Sequence, residues 1–183
     1  MRKFIVFEGI DGVGKSTLSK AVAQKINAVW TKEPTFTSEQ ADQLNLKSKD
    51  SIEREVEFCI DRINHQSFIS TSLKDVNLVC DRYIWSGLAY SSVFNPSAFA
   101  FAKAMYQHKF FIKPDYYVLV EAPIDVCLAR RKLTDDMRTK LIELRKAYLD
   151  TGSLVKNDST IIIVANNGPI KNTVDEILTK IKI

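Results

Sequence analysis

The sequence predicts an α/β protein of three layers, with a central five-stranded parallel sheet and helices on both faces. Three observations carry that expectation. Short β-branched or aromatic runs alternate with longer helical stretches along the whole chain, and parallel neighbours need such crossover connections. The 183 residues leave room for one domain and hardly for two. No repeat, Ser/Gly linker or shift of composition divides them, so residues 1–183 are expected to form a single domain.

The elements follow in order. Lys3 to Phe7 reads as a buried strand and Gly14 to about Ile26 as a helix. Ala28 to Thr31 is a second strand, stopped by Pro34. Ile52 to Leu73 carries a long helical pattern. At about 100° per residue, Ile52, Val56, Cys59, Ile60 and Ile63 gather on one stripe expected to face the core, while Phe58, Arg62 and His65 share another. Leu78-Val79-Cys80 is the third strand, and Ser97 to Tyr106 is a helical patch. Tyr116 to Val120 is the fourth strand, with a helix start at Pro123. A charged helix runs from about Asp135 to Leu149, Thr160 to Val164 is the fifth strand, and Pro169 opens a final helix.

Composition narrows the classes of function. Hydrophobic residues make up 45% of the chain, enough for a core and too many for a disordered protein. A net charge of +4 suits a protein that handles acidic small molecules, and equally an ordinary solvated surface. It falls short of the clustered basic stripe of a nucleic-acid binder. Cys59, Cys80 and Cys127 sit inside apolar runs and are expected to be buried reduced thiols in a cytoplasmic protein. No segment approaches a membrane span, and the first apolar run is too short for a signal peptide. The expected partners are therefore small acidic molecules, with neither nucleic acid nor membrane.

The strongest motif is Gly9-Ile10-Asp11-Gly12-Val13-Gly14-Lys15-Ser16-Thr17, which matches G-x-x-x-x-G-K-[ST] between a strand and a helix. Its glycines let backbone N–H groups converge on phosphate oxygens, and the helix start adds its positive dipole end. Lys15 can reach the β and γ phosphates of ATP, and the Ser16 hydroxyl can join Mg²⁺. These residues predict a P-loop NTPase fold and an ATP site. A GTPase would need a D-x-x-G switch and an N-K-x-D base reader, and neither stands at a strand exit. The small size favours a kinase of small molecules.

Ligands of open parallel sheets lie beyond the carboxyl ends of the strands. That places Glu8 to Ser16, Glu33-Pro34, Asp81-Arg82-Tyr83 and the segment after Val120 at one mouth. Asp81 can hold Mg²⁺ through water, and Arg82 can clamp an anionic acceptor with its planar fork. A capping aspartate with a solvated arginine is the plainer reading of the same pair. Phe58 and Arg62, four apart on a helix, can offer a base a stacking surface and a donor, or simply a core contact and a surface cation.

Taken together, Gly9 to Thr17, Thr31-Lys32-Glu33-Pro34, Phe58-Cys59-Ile60-Asp61-Arg62 and Asp81-Arg82-Tyr83-Ile84-Trp85-Ser86-Gly87-Leu88-Ala89-Tyr90 resemble the thymidylate kinase family. Thr160 to Ala165 is similar to that family's final strand and adenine loop. The resemblance implies transfer of the γ-phosphoryl of ATP to dTMP, with Mg²⁺ held at Ser16 and Asp81. It implies that Asp11 accepts from the 3′-hydroxyl, Phe58 stacks on thymine, Arg62 donates to O4 and Arg82 holds the acceptor phosphate. Ser86 and Gly87 would shape the base pocket, Tyr90 would sit beneath the sugar, and Glu33 would complete the dTMP-binding set. Relatives of this fold often form homodimers through helices, and the helix from Ile52 to Leu73 could serve.

Two departures stand out. Family members carry a basic residue inside the phosphate loop or supply arginines from a lid. Here the loop position is Gly12, so a short lid around 130–140 is expected to provide the charge. Its cations are Arg130, Arg131, Lys132 and Arg138, around a loop from Leu133 to Asp136. Of these, Arg130 is assigned to ATP and Arg131 and Arg138 to catalysis with Lys15, Asp81 and Arg82. Lys32 stands where many relatives have arginine and lacks the bidentate fork. The rival reading is a deoxynucleoside kinase that acts on a 5′-hydroxyl with Glu33 as base. A protein that senses ATP without transfer is a third.

Overall fold

The computed structural model describes residues 2–47, 51–132 and 134–182. The chain runs β1 (Phe4–Glu8), α1 (Lys15–Lys25), β2 (Val29–Lys32), α2 (Ser38–Asn45), α3 (Ile52–Asp75), β3 (Leu78–Asp81), α4 (Ile84–Phe94) and α5 (Pro96–Tyr106). It continues through β4 (Tyr116–Glu121), α6 (Ile124–Arg131), α7 (Asp136–Thr151), β5 (Thr160–Ala165) and α8 (Ile170–Lys180). The strands form one parallel sheet in the order β2-β3-β1-β4-β5.

The topology explains where polar residues collect. β1 lies between β3 and β4, and all five of its residues are buried, Glu8 included. Helices covering both faces of a parallel sheet need apolar strands such as Phe4-Ile5-Val6-Phe7 and Leu78-Val79-Cys80. β2 and β5 are edges, and β5 accordingly keeps Thr160, Ile163 and Ala165 exposed. Because every strand points the same way, the exits of β1, β2, β3 and β4 open at one end of the sheet.

Three helical details differ from the sequence expectation. The sequence shows α4 only as a motif. Its residues are apolar nearly all round, and a helix buried on every side shows no amphipathic period. α2, short and polar, is closed by a capping box in which Thr37 and Gln40 exchange hydrogen bonds. The largest correction concerns α3. Ile52 and Ile60 are 49% and 46% exposed, so the expected apolar stripe faces the core only in part, through Cys59 and Ile63. The buried side carries Glu55, Cys59, Asp61, Arg62, His65, Gln66 and Ile69. Polar groups are tolerated there because they pair with one another and with neighbouring elements. Gln66 Oε1 accepts from the Tyr83 hydroxyl at 3.0 Å and from Ile112 N–H at 3.0 Å. Asp61 accepts from Thr35 N–H at 3.0 Å.

The three cysteines are buried and free, as expected, and burial raises the pKa of each thiol. No described helix is long and apolar enough to cross a membrane.

Candidate active site

Residues 9–14 join β1 to α1 and form the phosphate loop. α1 starts at Lys15 after Gly14, and no side chain caps its first N–H groups, which leaves them available to an anion. Ile10 and Val13 are buried in the core, so they offer backbone groups only, while Ser16 and Thr17 are exposed on the first turn of α1. Lys15 is buried, and its Nζ donates to the Ile10 carbonyl at 2.7 Å. Burial and the nearby Arg82 push its pKa down to about 7, against the pull of Asp11, Asp81 and Glu8.

Gly12 explains the missing loop cation. Its φ is +88°, and a Cβ there would lie 2.6 Å from the Cys127 carbonyl oxygen and 2.7 Å from Cys127 Cα. α6 thus packs directly on the loop, and no side chain fits between them. Gly12→Ala is expected to cost about 1–3 kcal/mol through the positive φ and the contact together. A urea unfolding curve checks this, and an unchanged midpoint would contradict the packing. The same layer of contacts holds Arg130, whose guanidinium donates to the carbonyls of Gly12, Val13 and Asn166 at 3.2–3.3 Å.

The residues present fit a magnesium ion. The Ser16 hydroxyl donates to Asp81 Oδ2 at 2.5 Å, while Asp81 Oδ1 is buried with no hydrogen-bond partner. A hard cation takes oxygen ligands of this kind and commonly keeps waters and substrate phosphates as the rest of its shell. Among the described residues no group of three or more His, Cys, Asp or Glu side chains forms a metal cage, so phosphate oxygens would have to complete the shell.

Arg82 is anchored by four side-chain hydrogen bonds. Its φ of +72° is uncommon for a residue with a side chain and costs about 1–3 kcal/mol. The turn brings the guanidinium among four partners from three parts of the chain, the phosphate loop, α4 and α7. Nη1 donates to Ser86 Oγ at 3.0 Å and to the Tyr148 hydroxyl at 3.3 Å. Nη2 donates to Asp11 Oδ1 at 2.5 Å and to the Tyr90 hydroxyl at 3.3 Å. Burial raises the Asp11 carboxyl, but Arg82 and Lys15 outweigh it and hold the group below its usual range. Burial pushes Tyr90 up to about 12, so it stays a neutral hydroxyl.

Beneath this network lies Glu8, which sequence reasoning missed as a site residue. Its Oε1 accepts from Tyr83 N–H at 2.9 Å and Ser86 N–H at 3.1 Å, and its Oε2 accepts from Ser86 Oγ at 2.5 Å. Full burial raises its pKa to about 7, despite the Ser86 bonds and the Arg82 charge. An acidic residue closing an otherwise apolar strand was the available signal. Tyr148 was missed as well, and 66 residues separate it from Arg82.

A cavity of about 390 Å³ opens beside Arg82. Asp11, Glu33, Phe58, Arg62, Arg82, Ser86, Gly87 and Tyr90, the whole set expected to bind dTMP, line it together with Arg131. Arg54 and Lys140 also line it, and neither was singled out from the sequence, although Arg54, Phe58 and Arg62 fall at i, i+4 and i+8 on one helix. Glu33 is buried, with Oε1 hydrogen-bonded to His65 and Oε2 in an ion pair with Arg62 that lacks hydrogen-bond alignment. Oε1 lies 2.9 Å from His65 Nδ1 and Oε2 lies 2.9 Å from Arg62 Nε. This engagement disfavours Glu33 as a free base.

Other expected residues stand elsewhere. Arg138 is not among the cavity-lining residues and pairs with Asp125 at 2.7 Å and Asp135 at 3.0 Å. Lys32 is exposed at the end of β2, also away from the cavity lining. Lys132 is exposed between α6 and α7. Within the expected lid loop, Leu133 lies outside the described residues.

A phosphate loop, an oxygen donor pair for a cation and a second anion-ready cavity on one parallel sheet define a P-loop nucleoside monophosphate kinase. Comparison with known proteins narrows the class. The thymidylate kinase family model matches residues 7–177. A probable thymidylate kinase of Methanocaldococcus jannaschii is 33% identical over 186 residues, covering 98% of this chain and 95% of that protein. The fold is similar to that of the Ehrlichia chaffeensis thymidylate kinase, with a TM-score of 0.73 at 24% identity over 99% of both chains. It is also similar to the Candida albicans enzyme, with a TM-score of 0.79 at 17% identity over 98% of this chain and 90% of that one. The chain belongs to the thymidylate kinase family, whose members are phosphotransferases.

Proposed function

We propose that this enzyme transfers the γ-phosphoryl of ATP to dTMP in one in-line step, with Lys15 on the donor side and Arg82 on the acceptor side. The observation that carries the reading is the convergence of all eight expected dTMP-binding residues on the cavity beside the phosphate loop. An acceptor phosphate bears its own nucleophilic oxygen, so no strong base is required, in keeping with the engaged state of Glu33. Catalysis then rests on positioning and on neutralising charge between two anionic substrates.

Each residue has a part in this scheme. Arg82, fixed by Asp11, Ser86, Tyr90 and Tyr148, offers the acceptor phosphate a preorganised cation. Phe58 presents a face to the base and Arg62 a donor to its edge. Ser16 and Asp81 would hold Mg²⁺, which supplies charge neutralisation on the phosphates when bound. Arg130 braces the loop from α6, and Arg131, at the cavity edge, is the lid cation best placed to act. Arg138, tied to Asp125 and Asp135, would take part only after a lid movement.

The exposed Ile52, Ile60 and Phe68 on α3 support a homodimer through that helix, and three free buried thiols support a cytoplasmic setting. A coupled ATP-consumption screen across dTMP, dUMP, dGMP, UMP and thymidine tests the function. dTMP is expected to be the best acceptor, and turnover of thymidine alone would favour the deoxynucleoside kinase.

A further inference from the structure

The guanidinium of Arg62 is held by an ion pair at Nε, without hydrogen-bond alignment, and by a hydrogen bond at Nη1. Nε lies 2.9 Å from Glu33 Oε2, and Nη1 donates to the Tyr106 hydroxyl. That hydroxyl donates in turn to Glu55 Oε1 at 2.7 Å, so the chain of bonds has one direction, from Arg62 through Tyr106 to Glu55. The Tyr106 ring also lies 4.8 Å from the guanidinium, within cation–π range. Gly87 makes room for the arrangement. A Cβ there would sit 2.9 Å from Arg62 Nη1 and 2.7 Å from Tyr106 Cε2. Arg62 and Glu55 line the cavity, while Tyr106 is 1% exposed and stands behind them.

We propose that Tyr106 and Glu55 are positioning residues for base selection, which fix Arg62 so that the cavity takes a pyrimidine with a carbonyl at the position Arg62 meets and rejects one with an amino group there. The proposal rests on the dTMP reading of the cavity and deepens it. A carbonyl accepts the Arg62 donor, whereas the exocyclic amino group of cytosine sets donor against donor. A mobile arginine could turn aside and relieve that clash. One held by Glu33 and Tyr106 cannot, so the unpaired buried groups count fully against the wrong base. Loss of the Tyr106 hydroxyl removes one tether and also frees Glu55 Oε1, an acceptor that an amino group can use. The consequence is a change in base preference and not a uniform loss.

The test is steady-state kinetics with dTMP and dCMP on the wild type, Tyr106→Phe, Glu55→Leu and Glu55→Gln, with folding checked by circular dichroism. Tyr106→Phe is expected to raise KM for dTMP about tenfold, in line with one lost hydrogen bond to a charged group, and to change kcat less than about threefold. The ratio of kcat/KM for dTMP over dCMP should fall about tenfold or more. Glu55→Leu should lower the ratio further than Glu55→Gln, whose amide oxygen still accepts from Tyr106. Should Tyr106→Phe fail to fold, the order of the two Glu55 variants decides. A folded Tyr106→Phe enzyme that loses the same factor on both nucleotides, or equal ratios for the two Glu55 variants, overturns the proposal. A wild type active on dCMP or on thymidine but inert towards dTMP instead overturns the functional reading beneath it.

Discussion

Arg82→Ala is expected to lower kcat/KM for dTMP about 10³-fold or more while leaving the Kd for ATP within a few-fold of wild type. The substitution removes a cation that Ser86, Tyr148, Asp11 and Tyr90 hold in place, so the charge that should meet the acceptor phosphate is lost with its preorganisation. It also leaves Asp11 without its ion pair, which turns an attractive site towards a repulsive one. Nothing equivalent happens on the ATP side. The phosphate loop keeps its own contacts, and Lys15 is relieved of a neighbouring positive charge that depresses its pKa. Arg82→Lys should recover only part of the activity, because an ammonium cannot serve both arms of the fork. Initial rates at varied dTMP, with ATP binding by calorimetry, separate the two effects. Retention of more than a tenth of wild-type kcat/KM would remove Arg82 from the acceptor site.

Lys15→Met is expected to reduce kcat about 10²- to 10³-fold, the scale of losing one preorganised charged donor to a transferring phosphoryl group. The buried ammonium adds a pH signature. Its pKa is lowered to about 7, below its unfolded value, so a growing share of the enzyme has a neutral Lys15 as pH rises above 7. A bound polyphosphate favours the charged form and raises the pKa again. ATP binding should therefore take up protons between about pH 7.5 and 8.5, and affinity should fall with rising pH by up to about tenfold per unit. Calorimetry in buffers of different ionisation enthalpy measures the uptake, and Lys15→Met should abolish it. Uptake of the same size in wild type and variant would show that Lys15 is not the group involved.

The parts of this molecule that were legible in the sequence share a cause. Strands buried on both faces must be apolar, so β1, β3 and β4 announce themselves, and the phosphate loop and the Asp81-Arg82 exit are local in the chain. On α3 the apolar spacing points to an inward face that the fold keeps only at Cys59 and Ile63. In the folded chain the inward face carries Glu55, Asp61, Arg62, His65 and Gln66 beside Cys59 and Ile69, and the polar groups are stable in the interior only through one another and their partners. No periodicity argument can anticipate such pairing. Glu8, Tyr106 and Tyr148 stayed hidden for a related reason. Glu8 and Ser86 are 78 positions apart, and Tyr106 and Arg62 are 44, so their meaning lies in contacts that only the fold creates. α2 offered a signal, the Thr37 and Gln40 capping box, that pattern reading passed over.

The central claim is that one cleft presents Lys15 to a triphosphate and Arg82 to a monophosphate. Phosphorus NMR of the product tests it most directly, with ATP, Mg²⁺ and equal dTMP and thymidine in one sample. A new diphosphate, dTDP, growing as ATP converts to ADP, with thymidine untouched, is the result this account predicts. Formation of dTMP from thymidine without any dTDP, or release of inorganic phosphate alone, would contradict it.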